Sequence, residues 1–70
     1  MEKDQEFYWG VLGSNGCACG RHKDKGKSVC YGCWKLLPPG IRQGLYLQMG
    51  AGYEEAYEEA VDFLAGEGRL

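Results

Sequence analysis

The sequence has no long apolar run. Its hydrophobic stretches are only a few residues long, far short of the ~20 that a membrane-spanning helix needs. Its opening, Met1-Glu2-Lys3-Asp4, carries no apolar signal segment, so a reducing, cytoplasmic setting is expected, with no membrane partner. Histidine is nearly absent, with His22 the single one. No set of nucleophile, base and orienting group can be assembled, so neither an enzyme nor a small-molecule substrate is expected. Length is short too. A chain of 70 residues makes one domain at most and buries too little to be stable without a staple.

Four cysteines supply a candidate staple. They form two pairs, Cys17-Ala18-Cys19-Gly20 and Cys30-Tyr31-Gly32-Cys33-Trp34, ten residues apart. The C-x-x-C spacing lets two thiolates face one tetrahedral ion. The C-x-C pair is tighter, but Gly20 permits the sharp turn it needs. Two such knuckles joined by a short loop point to one structural zinc ion on Cys17, Cys19, Cys30 and Cys33. Disulfides compete with this reading, yet a bridge within C-x-C would be badly strained. A redox C-x-x-C also competes, but leaves Cys17 and Cys19 without a role. His22 could replace one cysteine. With four softer thiolates at hand it reads instead as a loop residue. Metal binding would then be folding energy, since the unfolded chain has no formed site.

Charge is distributed unevenly. The chain is acidic, net −2. Residues 1–16 carry three acids and one lysine, net −2. Residues 17–42 carry Arg21, Lys23, Lys25, Lys27, Lys35 and Arg42 against Asp24, net +5. Residues 43–70 carry six acids against Arg69, net −5. Zinc on four thiolates would add −2 and trim the basic segment to +3. An acidic protein with one basic loop is unlike a strongly basic nucleic-acid binder. The loop itself still suits phosphate contact.

Along the chain, the polar residues 1–6 are expected to fray. Phe7-Tyr8-Trp9-Gly10-Val11-Leu12 has strand propensity. Alternate side chains on a strand face opposite ways, so one aromatic, Tyr8, is expected outside. Lys25-Gly26-Lys27 reads as the tip of a short hairpin with Gly26 at positive φ. The second knuckle should open a short helix carrying Trp34 and Leu37, stopped there by Pro38. A next helix is expected from Pro39 to Met49, with Ile41, Leu45 and Met49 on one face. Gly44 weakens it by roughly 1 kcal/mol and so suggests close contact with a neighbour. The last helix, 53–64, has apolar positions 53, 56, 57, 60, 61 and 64 in a helical stripe. Its acids fill the other face, and Gly66 is expected to cap its end.

These motifs together resemble small zinc-binding proteins encoded by phages and prophages. The residues that carry the resemblance are Cys17, Cys19, Gly20, Cys30, Cys33, Trp34, Leu37, Pro38, Gly52, Tyr53, Glu54, Glu55, Ala56 and Tyr57, within about residues 17–64. The resemblance implies a setting rather than an activity. The second pair opening a helix also resembles the treble-clef finger, with a zinc ribbon as the alternative. The expected fold is thus a small zinc-stabilised α+β module. It has an N-terminal segment 1–16 with a short strand, then a module 17–70 with two knuckles, a short β-hairpin and two or three helices.

Two functions fit. One is contact with nucleic acid or the transcription machinery through loop 21–27, using Arg21, Lys23, Lys25, Lys27, Lys35 and Arg42. The other is docking on a host protein through Tyr8, Trp9, Glu55, Glu58, Glu59 and Asp62, since aromatics are enriched at interface hot spots.

Overall fold

The computed structural model describes residues 5–70, so residues 1–4 of the expected frayed segment lie outside the described residues. The described residues form four helices: α1 Gln5–Gly13, α2 Tyr31–Leu36, α3 Pro39–Gly44 and α4 Tyr53–Gly66. Strand pairing among the described residues is limited to one antiparallel bridge, Gly16 with His22. The expected α+β fold with a β-hairpin is therefore corrected to a helical one.

The core is organised on α4. Tyr53, Ala56, Tyr57, Ala60 and Leu64 are buried along one face, and Val61 is half-buried beside them, as the stripe predicted. The helix begins where Gly52 turns the chain at φ +116°. Glu54 folds back, and its carboxylate accepts the Gly50 N–H at 2.9 Å. Phe63, outside the stripe, packs half-buried against the core.

The segment expected as a strand is α1. On a helix successive residues are ~100° apart, so three adjacent aromatics splay. Tyr8 turns inward, while Phe7 and Trp9 stay exposed. This reverses the expectation for Tyr8. Its ring meets Tyr53 and Tyr57 edge-on at 6.2 and 5.9 Å between centroids. Val11 and Leu12, three and four residues on, follow it onto the core. Tertiary packing of this face overrides the β propensity of the individual residues.

The middle helices are short for a reason legible in proline chemistry. Leu37 ends α2 in extended geometry ahead of Pro38, and Pro39 starts α3. The α-helix stops at Gly44 rather than reaching Met49. Ile41, Leu45 and Met49 nevertheless all reach the core. Arg42 joins the two helices, donating from Nε to the Trp34 carbonyl at 3.0 Å and from Nη2 to the Lys35 carbonyl at 2.9 Å. It thereby closes the C-terminal carbonyls of α2.

Gly44 marks a close approach of α3 to α4. A Cβ there would lie 2.6 Å from the Ala56 Cβ. Alanine would favour the helix by about 1 kcal/mol, but overpacking costs ~1–3 kcal/mol, and the second effect wins. Gly44→Ala is expected to lower the urea midpoint, and adding Ala56→Gly should recover part of the loss.

The tyrosine core also fixes an alkaline limit. Burial, reinforced by the neighbouring Tyr53, pushes Tyr57 up to about 12, and burial raises Tyr53 as well. The folded state favours neutral phenols. That stability is complete below the ordinary tyrosine value of about 10 and is lost as pH climbs through about 12. A near-ultraviolet tyrosinate titration should therefore show late-titrating tyrosines whose ionisation coincides with loss of helical circular dichroism. Tyr57→Phe should remove part of that late step.

Candidate metal centre

The first cysteine pair sits on a tight turn. Cys17 N–H donates to the Arg21 carbonyl at 2.8 Å and Gly20 N–H to the Cys17 carbonyl at 2.9 Å. Gly20 closes the turn at φ +91°, a conformation costly for a residue with a side chain. The second pair is carried by α2. Cys30 is its N-cap and Cys33 lies in its first turn.

The two turns bring four sulfurs together, all within 4.8 Å of one another. Cys17 and Cys33 are 3.7 Å apart, and Cys19 and Cys30 are 3.6 Å apart. All four are free thiols, with Cys19 half-buried and the others buried. The site can hold one metal ion. An ion gripped by all four sulfurs has no open position, which is the form of a structural centre.

Burial raises every one of these thiols. At Cys17 and Cys33 it prevails. At Cys19 a hydrogen bond from the Arg21 amide overcomes it, and at Cys30 one from the Cys33 amide does so, each with help from neighbouring thiols. Such amide donors stabilise thiolate. Four thiolates this close repel one another, so metal uptake must displace the remaining protons.

Arginines offset the charge from outside. Arg69 donates from Nε to Cys33 Sγ at 3.3 Å and from Nη2 to Cys30 Sγ at 3.9 Å. Arg21 reaches Cys19 Sγ at 4.0 Å. Arg69 gets there through the end of α4. Gly68 takes φ +75°, its N–H donates to Ala65 O, and Arg69 N–H donates to Leu64 O at 2.9 Å. This is the Schellman pattern. The capping glycine is thus Gly68, with α4 continuing through Gly66. Gly32 leaves room for the guanidinium, which a Cβ at that position would strike. Arg69 was not among the expected site residues. The one sequence signal for it is the paired occurrence of Gly32 between the cysteines and Gly-Arg beyond the last helix.

His22 is exposed and lies outside the sulfur cluster; its backbone pairs with Gly16. The basic loop is held to the end of α1, since Gly26 N–H donates to the Leu12 carbonyl at 2.7 Å, and Gly26 has the positive φ expected of it. Arg21, Lys25, Lys27 and Lys35 are exposed. Lys23 is not. It is 2% exposed, and its Nζ donates to the Ser14 carbonyl at 2.6 Å. Burial pulls its ammonium below the ordinary lysine value, opposed by Cys17 and Asp24. Arg42, on α3, is half-buried and bonded to the end of α2, as above. On α4, Glu55, Glu59 and Asp62 are exposed and Glu58 half-buried.

No family model, no curated protein and no solved structure matches the chain. Among the described residues no helix is long and apolar enough to cross a membrane.

Stripping metal from metal-loaded protein with a chelator should abolish helical circular dichroism, because the four sulfurs tie the first cysteine turn to the start of α2. Arg69→Ala is expected to weaken metal affinity about 10–100-fold, the usual effect of removing an outer partner. Gly32→Ala should act in the same direction by displacing the same guanidinium. A competition titration with a chromophoric chelator reads both.

Proposed function

We propose that this chain is a non-enzymatic, zinc-stabilised module that contacts nucleic acid through the loop between its cysteine pairs. Zinc fits the donor set. Tetrahedral zinc with bonds of ~2.3 Å places its sulfurs roughly 3.8 Å apart, close to the 3.6 and 3.7 Å spacings found. A set of thiolates alone favours a soft ion. A knuckle followed by a helix that supplies the last two ligands supports a treble-clef-like centre without its hairpin. The resemblance to phage-encoded zinc proteins supports a viral origin and action in the host cytoplasm.

The observation that carries the nucleic-acid reading is the placement of Arg21, Lys25 and Lys27. All three are exposed on a loop anchored at both ends by metal-ligand cysteines and tied midway to α1. Cations fixed on a rigid base suit phosphate contacts. Lys23 drops out, because its ammonium closes the base of the loop. The acidic face of α4 carries the competing reading, docking on a host protein. Glu55, Glu59 and Asp62 are exposed for that role, while Tyr8 belongs to the core.

Fluorescence anisotropy of labelled oligonucleotides with zinc-loaded protein, at two salt concentrations, tests the proposal. Binding is expected near the micromolar range and should weaken with salt. Replacing Arg21, Lys25 and Lys27 by alanine should lower the slope of log K against log salt by roughly 0.7–0.9 per cation removed. Absence of binding at low salt, or a slope indifferent to these three residues, rejects it. Lys23→Ala should behave differently and cost about 1–3 kcal/mol of stability, by leaving a shielded carbonyl without its donor.

A further inference from the structure

A groove of about 850 Å³ runs between α1, the end of the basic loop, the start of α2 and the turn after α3. Trp9, Tyr31, Trp34 and Tyr46 line it. Three of these rings are far more open than folding requires, with Trp9 58%, Tyr31 75% and Tyr46 78% exposed. None of the three belongs to the buried core, which takes its aromatics from Tyr8, Tyr53 and Tyr57. Open aromatic faces gathered along one concave surface mark a binding site.

Cations are interleaved with the rings. Lys27 lines the groove. Lys35 Nζ lies 5.5 Å from the Tyr31 ring centroid, and the Arg42 guanidinium lies 5.7 Å from that of Trp34. One acid, Asp24, shares the lining, while Glu55, Glu59 and Asp62 of α4 do not. Within the lining Lys27 and Asp24 offset each other, and Lys35 and Arg42, seated outside it against Tyr31 and Trp34, leave the excess of positive charge beside the rings; the complement is an anionic ligand with flat faces.

We propose that this groove binds a single-stranded nucleic acid, with bases stacked on Tyr31 and Tyr46 and phosphates on Lys27 and Lys35. The inference rests on the nucleic-acid reading above and narrows it to the form of the strand. A duplex hides its base faces within its own stack. An unpaired strand offers them, and aromatic platforms beside a cationic track are the general means of holding it. A quaternary ammonium ligand would use the same rings but would be repelled by the lysines. A proline-rich peptide would leave the lysines without a partner.

Both tryptophans of the chain, Trp9 and Trp34, line the groove, so intrinsic fluorescence reports its occupancy. The probe is a thymidine homopolymer about a dozen nucleotides long, within the ~4–16 nucleotides of small single-strand sites, compared with a duplex of equal length. Saturable quenching by the single strand is expected, with the duplex bound at least about tenfold more weakly. Tyr31→Ala and Tyr46→Ala should each weaken single-strand binding about tenfold, with metal content and circular dichroism unchanged. The corresponding Phe variants should bind as the parent does. Equal binding of duplex and single strand, without quenching and indifferent to both tyrosines, overturns the groove while leaving the loop reading intact. Absence of binding to either form overturns both, and quenching by a proline-rich peptide but not by the strand overturns the groove. Should an alanine variant not fold, the comparison of single strand with duplex on the parent protein decides alone.

Discussion

Four sulfurs held within 4.8 Å are the constraint on which the rest of the structure depends. Deprotonated and without a cation, they would repel one another in a poorly solvated site, at a cost that a small core cannot offset. The chain meets this electrostatic problem in layers. Backbone amides of the two turns point at the sulfurs, and Arg21 and Arg69, from distant parts of the sequence, lie outside them. A metal ion held by the four sulfurs would complete the arrangement. The helices then need only modest packing energy of their own, which is why α2 and α3 can be six residues each, well below the length at which isolated helices hold.

The C-terminal end of α4 couples this centre to the core. The stripe of α4 buries against α1 and α3, and the Schellman turn at Gly68 brings Arg69 back over Cys30 and Cys33. Helix packing and metal-site electrostatics therefore share one element. Loosening the core would move the guanidinium, and losing the metal would free the residue that α4 positions. Gly44 and Gly32 are the two places where a missing side chain makes this possible, one between helices and one beneath the arginine.

What was legible in the sequence was local. Ligand spacing at Cys17, Cys19, Cys30 and Cys33 is a short-range property, and so is the 3.6-residue period of α4. Proline at 38 and 39 sets the boundary between α2 and α3 through its own ring and the residue before it. What was not legible depended on distant partners. The aromatic run 7–12 has the local preferences of a strand, yet it is helical because Tyr8 docks on Tyr53 and Tyr57, far along the chain. In the run Lys23, Lys25 and Lys27 the three lysines look equivalent. Only the position of the Ser14 carbonyl makes the first a structural residue and leaves the others on the surface. Arg69 was hidden for the same reason, since its role requires the end of α4 to lie beside the second cysteine pair.

Net charge is a poor guide to the local surface of such a small protein. Apart from Asp24 in the basic loop, the acids and bases discussed above are largely separated. Acids occupy the outer face of α4, whereas the cations lie on the cysteine loop and around the groove beside it. Screening confines each set to about 10 Å at ordinary salt, so a ligand at the proposed groove would respond to Asp24, Lys27, Lys35 and Arg42 more than to the sum over the chain. A metal held there would contribute rigidity as well as stability, because a loop fixed at both ends would lose little entropy on meeting a partner. A groove of preformed aromatic faces benefits in the same way. A metal centre that helped 70 residues fold would thus also hold the loop cations and the open rings in place before a ligand of the proposed kind arrived.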